Sequence, residues 1–309
     1  MNGEVNMVNM RTAIITGASA GLGLECARAL LRSDPSWHVV LAVRDSSRGA
    51  EAVTRLGEPQ RCTVMQMDLA SLASVRAFVQ NVRGATLAPL HAIVCNAGVQ
   101  VVSGTEWTAD GFEMTFGVNH LGHFALVQGL LDELAHPARI VVVSSGTHDP
   151  SKHTGMPHPG YTSAADLARP RAEQSAGDGR RRYTTSKLCN VLFTYELDRR
   201  LGNGGDGVAV NAFDPGLMPG SGLARDYPPL QRLAWRYLLP ALRVFPGVRG
   251  TRTSGRYLAA LANDDRFDGV SGRYFAGLRP IRSSADSYDG DKALDLWETS
   301  ERLLTHAPT

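Results

Sequence analysis

The chain is short of cysteine, of long apolar runs and of net charge, and each shortage excludes something. Four cysteines, Cys26, Cys62, Cys95 and Cys189, are scattered through 309 residues. None forms a C-x-x-C pair and no signal peptide precedes them. They are expected to be reduced thiols filling helices and strands of a cytoplasmic protein. No stretch reaches the roughly 18 apolar residues that a bilayer span requires. A net charge of +2 gives no reason to expect nucleic acid or an anionic membrane as partner. The run Arg180-Arg181-Arg182 is short and suits a solvated loop. No internal repeat and no linker divides the sequence.

What is present is an ordinary globular composition, 43% apolar and 20% charged. Residues 1–10 are polar and Asn-rich and read as a disordered tail, and 11–309 as one domain. Apolar runs predict strands at 12–16, 39–43, 62–67, 91–95, 140–144, 208–213 and 272–275. Helical spacing predicts helices at 22–31, 47–56, 72–82, 111–135 and 188–201. Apolar strands alternating with amphipathic helices imply an α/β fold: a Rossmann-type, doubly wound parallel sheet of about seven strands with helices on both faces. Two segments break the rhythm. Residues 146–182 are long, polar and rich in Gly, Pro and His, and read as a surface insertion. Residues 217–250 set Pro219, Pro228, Pro229, Pro240 and Pro246 among Leu, Trp, Tyr and Phe, which suits an apolar lid of short helices. Its Trp235, Tyr237, Leu238, Leu239 and Phe245 fit a substrate lid, a homodimer patch, a membrane-surface face or plain packing over the sheet edge.

The turn after the first strand reads Thr16-Gly17-Ala18-Ser19-Ala20-Gly21-Leu22-Gly23. Its glycines permit φ > 0 and let a pyrophosphate approach the backbone. The helix that begins there offers free N–H groups and the positive end of its dipole to phosphates. Gly17, Ser19, Gly21, Leu22 and Gly23 are therefore candidate cofactor contacts. The spacing is G-x-x-x-G-x-G, so the general dinucleotide fingerprint is met in its physics and not in its letters. An NAD site places a carboxylate at the end of the second strand for the ribose 2′-hydroxyl. Here Val43 is followed by Arg44, whose guanidinium suits a 2′-phosphate. Arg48 adds charge nearby, and Asp45 suits a helix cap or an arginine partner. NADP is expected over NAD. Asp68-Leu69 ends the third strand, where the carboxylate can accept from the adenine amino group, cap the next helix, or do both. Asn96-Ala97-Gly98 ends the fourth, where small residues let the adenosine ribose lie against the backbone.

Tyr183 and Lys187 are four apart just before a predicted helix, and on a helix positions i and i+4 share a face, so both can point into one cleft. A free tyrosine has a pKa of about 10, too high for proton transfer at neutral pH. A cation about 4 Å away favours phenolate by roughly 4 kcal/mol at an effective dielectric of 20, up to about three pKa units. A lone Y-x-x-x-K pair is a weak signal, and the rest of the chain strengthens it.

Taken in order, Thr16–Gly23, Asn96-Ala97-Gly98, Asn119, Ser145, Tyr183-x-x-x-Lys187 and Asp214-Pro215-Gly216 resemble the short-chain dehydrogenase/reductase family, over nearly the whole chain. Phe116 to Phe124, Tyr183 to Asn190, Ser271 to Phe275 and Leu296 to Ser300 look like its retinol dehydrogenase and protochlorophyllide reductase branch. The resemblance implies roles. Tyr183 would be the general acid/base, and Lys187 would lower its pKa and bond the nicotinamide ribose. Ser145 would hold the substrate oxygen. Asn119 would kink its helix and anchor a water relay to Lys187, and Pro215-Gly216 would shape the nicotinamide pocket. The implied reaction is hydride transfer between NADP(H) and a lipophilic or polycyclic carbonyl or alcohol, a small-molecule partner. Ser145 and Tyr183 lie 38 positions apart (183 − 145), against about a dozen in compact members, and no apolar anchor of the kind that often opens retinol dehydrogenases is expected.

Two other readings stay open: reduction of a C=C bond, and a non-catalytic NADP-binding sensor or scaffold. No metal is expected. His120 and His123 are a helical i, i+3 pair with no third ligand evident, and His148, His153 and His158 suit a solvated loop.

Overall fold

Arg11–Thr16 (β1) is fully buried from Thr12 onward because it lies mid-sheet with both faces covered. The computed structural model describes residues 10–102, 104–170, 176–205, 207–218 and 249–305. Within them β1 is followed by helix α1 (Gly21–Ser33), β2 (Trp37–Val43), α2 (Ser46–Leu56), β3 (Cys62–Gln66), α3 (Leu72–Gly84) and β4 (Leu90–Cys95). A short helical turn α4 (Met114–Phe116) passes through a π-helical turn (Gly117–Leu121) into α5 (Gly122–Leu130). Then come β5 (Leu134–Val143), α6 (Ala164–Ala168), α7 (Ala176–Arg200), β6 (Val208–Asp214), α8 (Thr251–Asn263), β7 (Arg273–Ala276), β8 (Arg279–Ile281) and α9 (Gly290–Thr305).

These strands form one sheet in the order β3-β2-β1-β4-β5-β6-β7-β8. Every pairing is parallel except the last, where β8 folds back on β7. The sheet thus has an eighth, antiparallel edge strand beyond the expected seven. It is short and carries Pro280, which an edge tolerates because no partner needs its missing N–H. Successive side chains alternate between two cores. Ile14, Val40, Ile93, Ile140 and Val210 face α3, α5 and α7, while Ala13, Ile15, Val39, Leu41 and Val141 face α1 and α8.

Three expected boundaries move. The helix expected over 111–135 begins at Met114, changes to π geometry at Gly117 and ends at Leu130, and Leu134 is already strand. The helix expected from 188 begins at Ala176, so Tyr183 lies inside α7 and the last part of the insertion is helical. The insertion is also anchored: Ala164 and Ala168 of α6 are fully buried beside Phe112 and Leu296. The expected tail is outside the described residues apart from Met10, and the lid apart from Leu217, Met218, Arg249 and Gly250. Among the described residues no helix is long and apolar enough to cross a membrane.

Candidate active site

From β1 the chain moves outward to β2 and β3, then returns to place β4 on the other side of β1. That reversal opens a crevice at the carboxyl ends of β1 and β4, where open α/β sheets take ligands. The Gly17–Gly23 turn lies there. Gly17 and Gly21 have φ of +66° and +59°, so the loop needs glycine at both. A Cβ on Gly23 would sit 2.6 Å from Asn96 Nδ2 and 2.8 Å from the Gly17 carbonyl oxygen, so this glycine serves close packing. Beyond Gly21 a Cβ would meet nothing within 4 Å. The N-cap of α1 is Ala20, with no side chain to cap the first turn. An open approach to uncapped N–H groups is what a pyrophosphate requires.

Thr16 fastens this turn to the next strand. Its Oγ1 accepts from the N–H groups of Asn96 and Ala97, each at 2.9 Å. With those lone pairs engaged, its proton points to His123 Nε2 at 2.9 Å rather than to the Val94 carbonyl at 3.4 Å. His123 Nδ1 then donates to the Asn119 carbonyl at 3.2 Å, a tautomer assigned from this network. Burial holds the ring neutral by pulling its pKa down to about 4. His120 is likewise buried and pulled down to about 3 by desolvation; its Nε2 donates to Ser300 Oγ at 2.9 Å. Both histidines are therefore struts of the core.

Asn119 sits mid-way through the π turn. Its Oδ1 accepts from Val99 N at 2.8 Å, and its Nδ2 donates to Val99 O at 3.0 Å and Ser186 Oγ at 2.9 Å. It thereby joins the segment after Gly98 to the turn of α7 between Tyr183 and Lys187. A Cβ on Gly98 would lie 3.2 Å from Asn119 Oδ1 and 3.6 Å from Lys187 Nζ. Gly98, Asn119 and Lys187 thus converge at one point. Lys187 is buried, donates to the Val143 carbonyl at 3.2 Å and lies 5.6 Å from the Tyr183 ring centroid. Desolvation pulls its ammonium down to about 8. Tyr183 is 6% exposed. The end of β5 is pinned to α7 as well, because Ser144 Oγ donates to the Lys187 carbonyl at 2.7 Å.

Ser145, the next residue, accepts from Thr147 N at 3.3 Å, and its carbonyl receives His148 Nδ1 at 2.7 Å. Pro215-Gly216 caps β6. Gly216 has φ +78° and its N–H donates to Asp214 Oδ1 at 2.9 Å, while the Pro215 carbonyl accepts from Ser254 Oγ at 2.7 Å. Arg44 is exposed just past β2, with Arg48 exposed beside it on α2. Asp45 is the N-cap of α2, accepting from Ser47 N and Arg48 N. Asp68 accepts from Ala70 N at 3.0 Å, whereas the cap of α3 is Ser71, so the helix-cap reading of Asp68 fails. Leu69 is buried, and a Cβ on Gly122 would touch its carbonyl oxygen at 2.7 Å, which makes Leu69 a packing residue.

Several members of this region carry no local sequence signal. Thr16 and His123 meet partners far along the chain. Arg55 reaches across from α2 to the Ser19 carbonyl at 2.6 Å, adding an exposed guanidinium beside the glycine turn. Only its helical register, one turn after Glu51 and two after Arg48, could have pointed to it.

The family model described as short chain dehydrogenase matches residues 11–163. Protochlorophyllide reductase B, chloroplastic, of Oryza sativa subsp. japonica is 37% identical over 317 residues, covering 95% of this chain and 77% of that protein. The WW domain-containing oxidoreductase of Gallus gallus is 36% identical over 301 residues, covering 95% of this chain and 68% of that protein. Among solved structures, a protein from Mycobacterium paratuberculosis superposes with a TM-score of 0.71 at 31% identity, covering 97% of this chain and 95% of that one.

Proposed function

Because the chain belongs to the short-chain dehydrogenase family, we propose that it is an NADP(H)-dependent oxidoreductase acting on a lipophilic or polycyclic carbonyl or alcohol, with Tyr183 as general acid/base. The observation that carries this reading is the convergence of Gly98, Asn119, Lys187 and the Tyr183 ring at the mouth of the crevice. A buried ammonium beside a nearly buried phenol is costly to assemble, and proton chemistry explains why it is kept.

The residues fit the cofactor. The uncapped first turn of α1 and the open approach over Gly21 suit the pyrophosphate. Exposed Arg44, Arg48 and Arg55 supply positive charge for a 2′-phosphate. Asn96-Ala97-Gly98 leaves room for a ribose, and Pro215-Gly216 borders the nicotinamide pocket. When bound, NADPH supplies a hydride from C4 of its nicotinamide. Tyr183 gives its hydroxyl proton to the substrate oxygen as negative charge develops there, and takes it back in oxidation. Ser145 donates a hydrogen bond to the same oxygen. Lys187 holds positive charge behind the phenol and binds the nicotinamide ribose. Asn119 fixes the α7 turn through Ser186. The free thiols suit a cytoplasmic setting.

A second reading has its own support: the rice relative at 37% identity is named a protochlorophyllide reductase, so reduction of a C=C bond keeps a place. An NADPH-oxidation screen against lipophilic ketones, aldehydes, quinones and polycyclic aromatics tests the first reading. Light-dependent consumption with a tetrapyrrole, and none with carbonyls, would favour the second. No consumption with any substrate, despite NADPH binding, would point to a sensor or scaffold.

A further inference from the structure

Asn119 and Tyr183 belong to different elements, so something must fix one against the other. At the level of the site the tie is Asn119 Nδ2 to Ser186 Oγ. Toward the start of both elements lies a second tie that the sequence does not announce. Glu113, 1% exposed, has two carboxylate oxygens with two tasks. Oε2 accepts from Phe116 N at 2.7 Å, opening the helical stretch that becomes the π turn of Asn119. Oε1 lies 3.1 Å from Nε of Arg182, the residue preceding Tyr183, whose side chain is 9% exposed. Arg182 also donates through Nη2 to the Gly104 carbonyl, on the segment that leaves Gly98. Below it, Gly179 brings the α7 backbone against the next stretch of that segment, since a Cβ there would lie 2.5 Å from the Val101 carbonyl oxygen.

A buried ion pair is a poor way to gain stability, because two apolar side chains of like volume would do as well. Its value is placement. Shifting one side chain from the other separates two buried opposite charges, a penalty that a small shift of an apolar pair does not carry. The pair stands where a shift of α7 against the π turn would carry the phenol away from the reacting oxygen. A misplacement of about 1 Å can cost about 10²-fold in rate.

We propose that Glu113 and Arg182 are a positioning pair which sets Tyr183 against Asn119 and the Gly98 segment, and so governs turnover without touching substrate or cofactor. The proposal rests on the reading of Tyr183 as the acid/base. The test compares Glu113→Gln, Arg182→Met, the double variant, Arg182→Lys and Tyr183→Phe by kcat per folded molecule and NADPH affinity. Glu113→Gln keeps an acceptor for Phe116 N and replaces the charged oxygen facing Arg182 with a neutral amide NH2. Each single variant should lower kcat by about 10-fold or more and leave the NADPH Kd within about threefold. The double variant should be no worse than the poorer single, because both break one interaction. Arg182→Lys should recover most of the loss. Unchanged kcat in both singles, or losses that multiply in the double, would overturn the proposal. Full turnover in Tyr183→Phe would instead sink the functional reading, whatever the pair does. Hydrogen exchange on the NADPH complex tests the pair without any substrate. In Glu113→Gln, exchange should rise over 181–187 as well as 114–121. The cap on Phe116 N survives in this variant, so no rise over 181–187 would mean that the charge does not tie α7 to the π turn and would overturn the proposal.

Discussion

Lys187 holds its charge in the site against burial. Its folded pKa of about 8 lies below the 10.5 of an unfolded lysine because burial penalises the charge. Between those values the unfolded chain holds more protons, so stability rises with pH across that window and is lost as pH falls through it. At pH 7 the full penalty applies, about 3 kcal/mol from a shift of that size. Lys187→Met removes the charge and keeps most of the volume. The apo variant is therefore expected to be as stable as wild type or up to about 3 kcal/mol more stable in urea at pH 7, while losing turnover. A loss of stability would mean that the hydrogen bond to Val143 outweighs desolvation. Arg44 makes the complementary case for affinity. Arg44→Ala should weaken NADPH by about 10- to 100-fold, from roughly 1.5–3 kcal/mol of charge-assisted bonding, and NADH far less. Equal losses in a binding titration would remove the argument for NADP. At this scale the sequence was legible where placement is local: a strand-end arginine, an aspartate in cap position, glycines in a turn. It was silent about Thr16 and His123, whose meeting spans 107 positions.

The element that matters most is the stretch from Met114 to Leu130, which the apolar pattern presents as one helix over 111–135. Periodicity could not reveal the π turn at Gly117–Leu121, because all five of its residues are buried and leave no polar face to mark the change of pitch. The turn puts Asn119 between the Gly98 segment and α7, and its His120, with His123 at the start of α5, faces the core. The folded pKa values of His120 and His123, about 3 and about 4, lie below the 6.5 of an unfolded histidine. From about pH 6.5 down to about 4 the unfolded chain binds the extra protons, so stability falls as pH falls. At pH 5 the loss is on the order of 2 kcal/mol for each ring. Urea unfolding at pH 7 and pH 5 should show this loss, and His123→Gln should lose about 2 kcal/mol less than wild type. An unchanged pH dependence in the variant would show that this ring does not remain neutral. The start of α7 was misplaced by sequence because the polar run before Tyr183 looks like loop. Its helicity comes from tertiary contacts such as Gly179 on the Val101–Val102 backbone.

At the scale of the whole molecule the alternating strands and helices, their order and the position of the crevice were readable, because a sheet covered on both faces leaves a nearly unbroken apolar signature. The eighth strand was not: three residues with a proline give no period. The 38-position gap between Ser145 and Tyr183 hid a second connection, since α6 and the first part of α7 fold the insertion back onto the core. The architecture brings a phenol, an ammonium and a glycine-lined crevice to one end of the sheet, and proton transfer by Tyr183 is the central claim built on it. The direct test is steady-state NADPH consumption by wild type and Tyr183→Phe on the best substrate of the screen, with NADPH affinity measured alongside. Turnover should fall by about 10² or more while the NADPH Kd stays within about threefold, because the ring volume is kept and only the proton is lost. Near-wild-type turnover in Tyr183→Phe would mean that the proton comes from elsewhere and would contradict the mechanism.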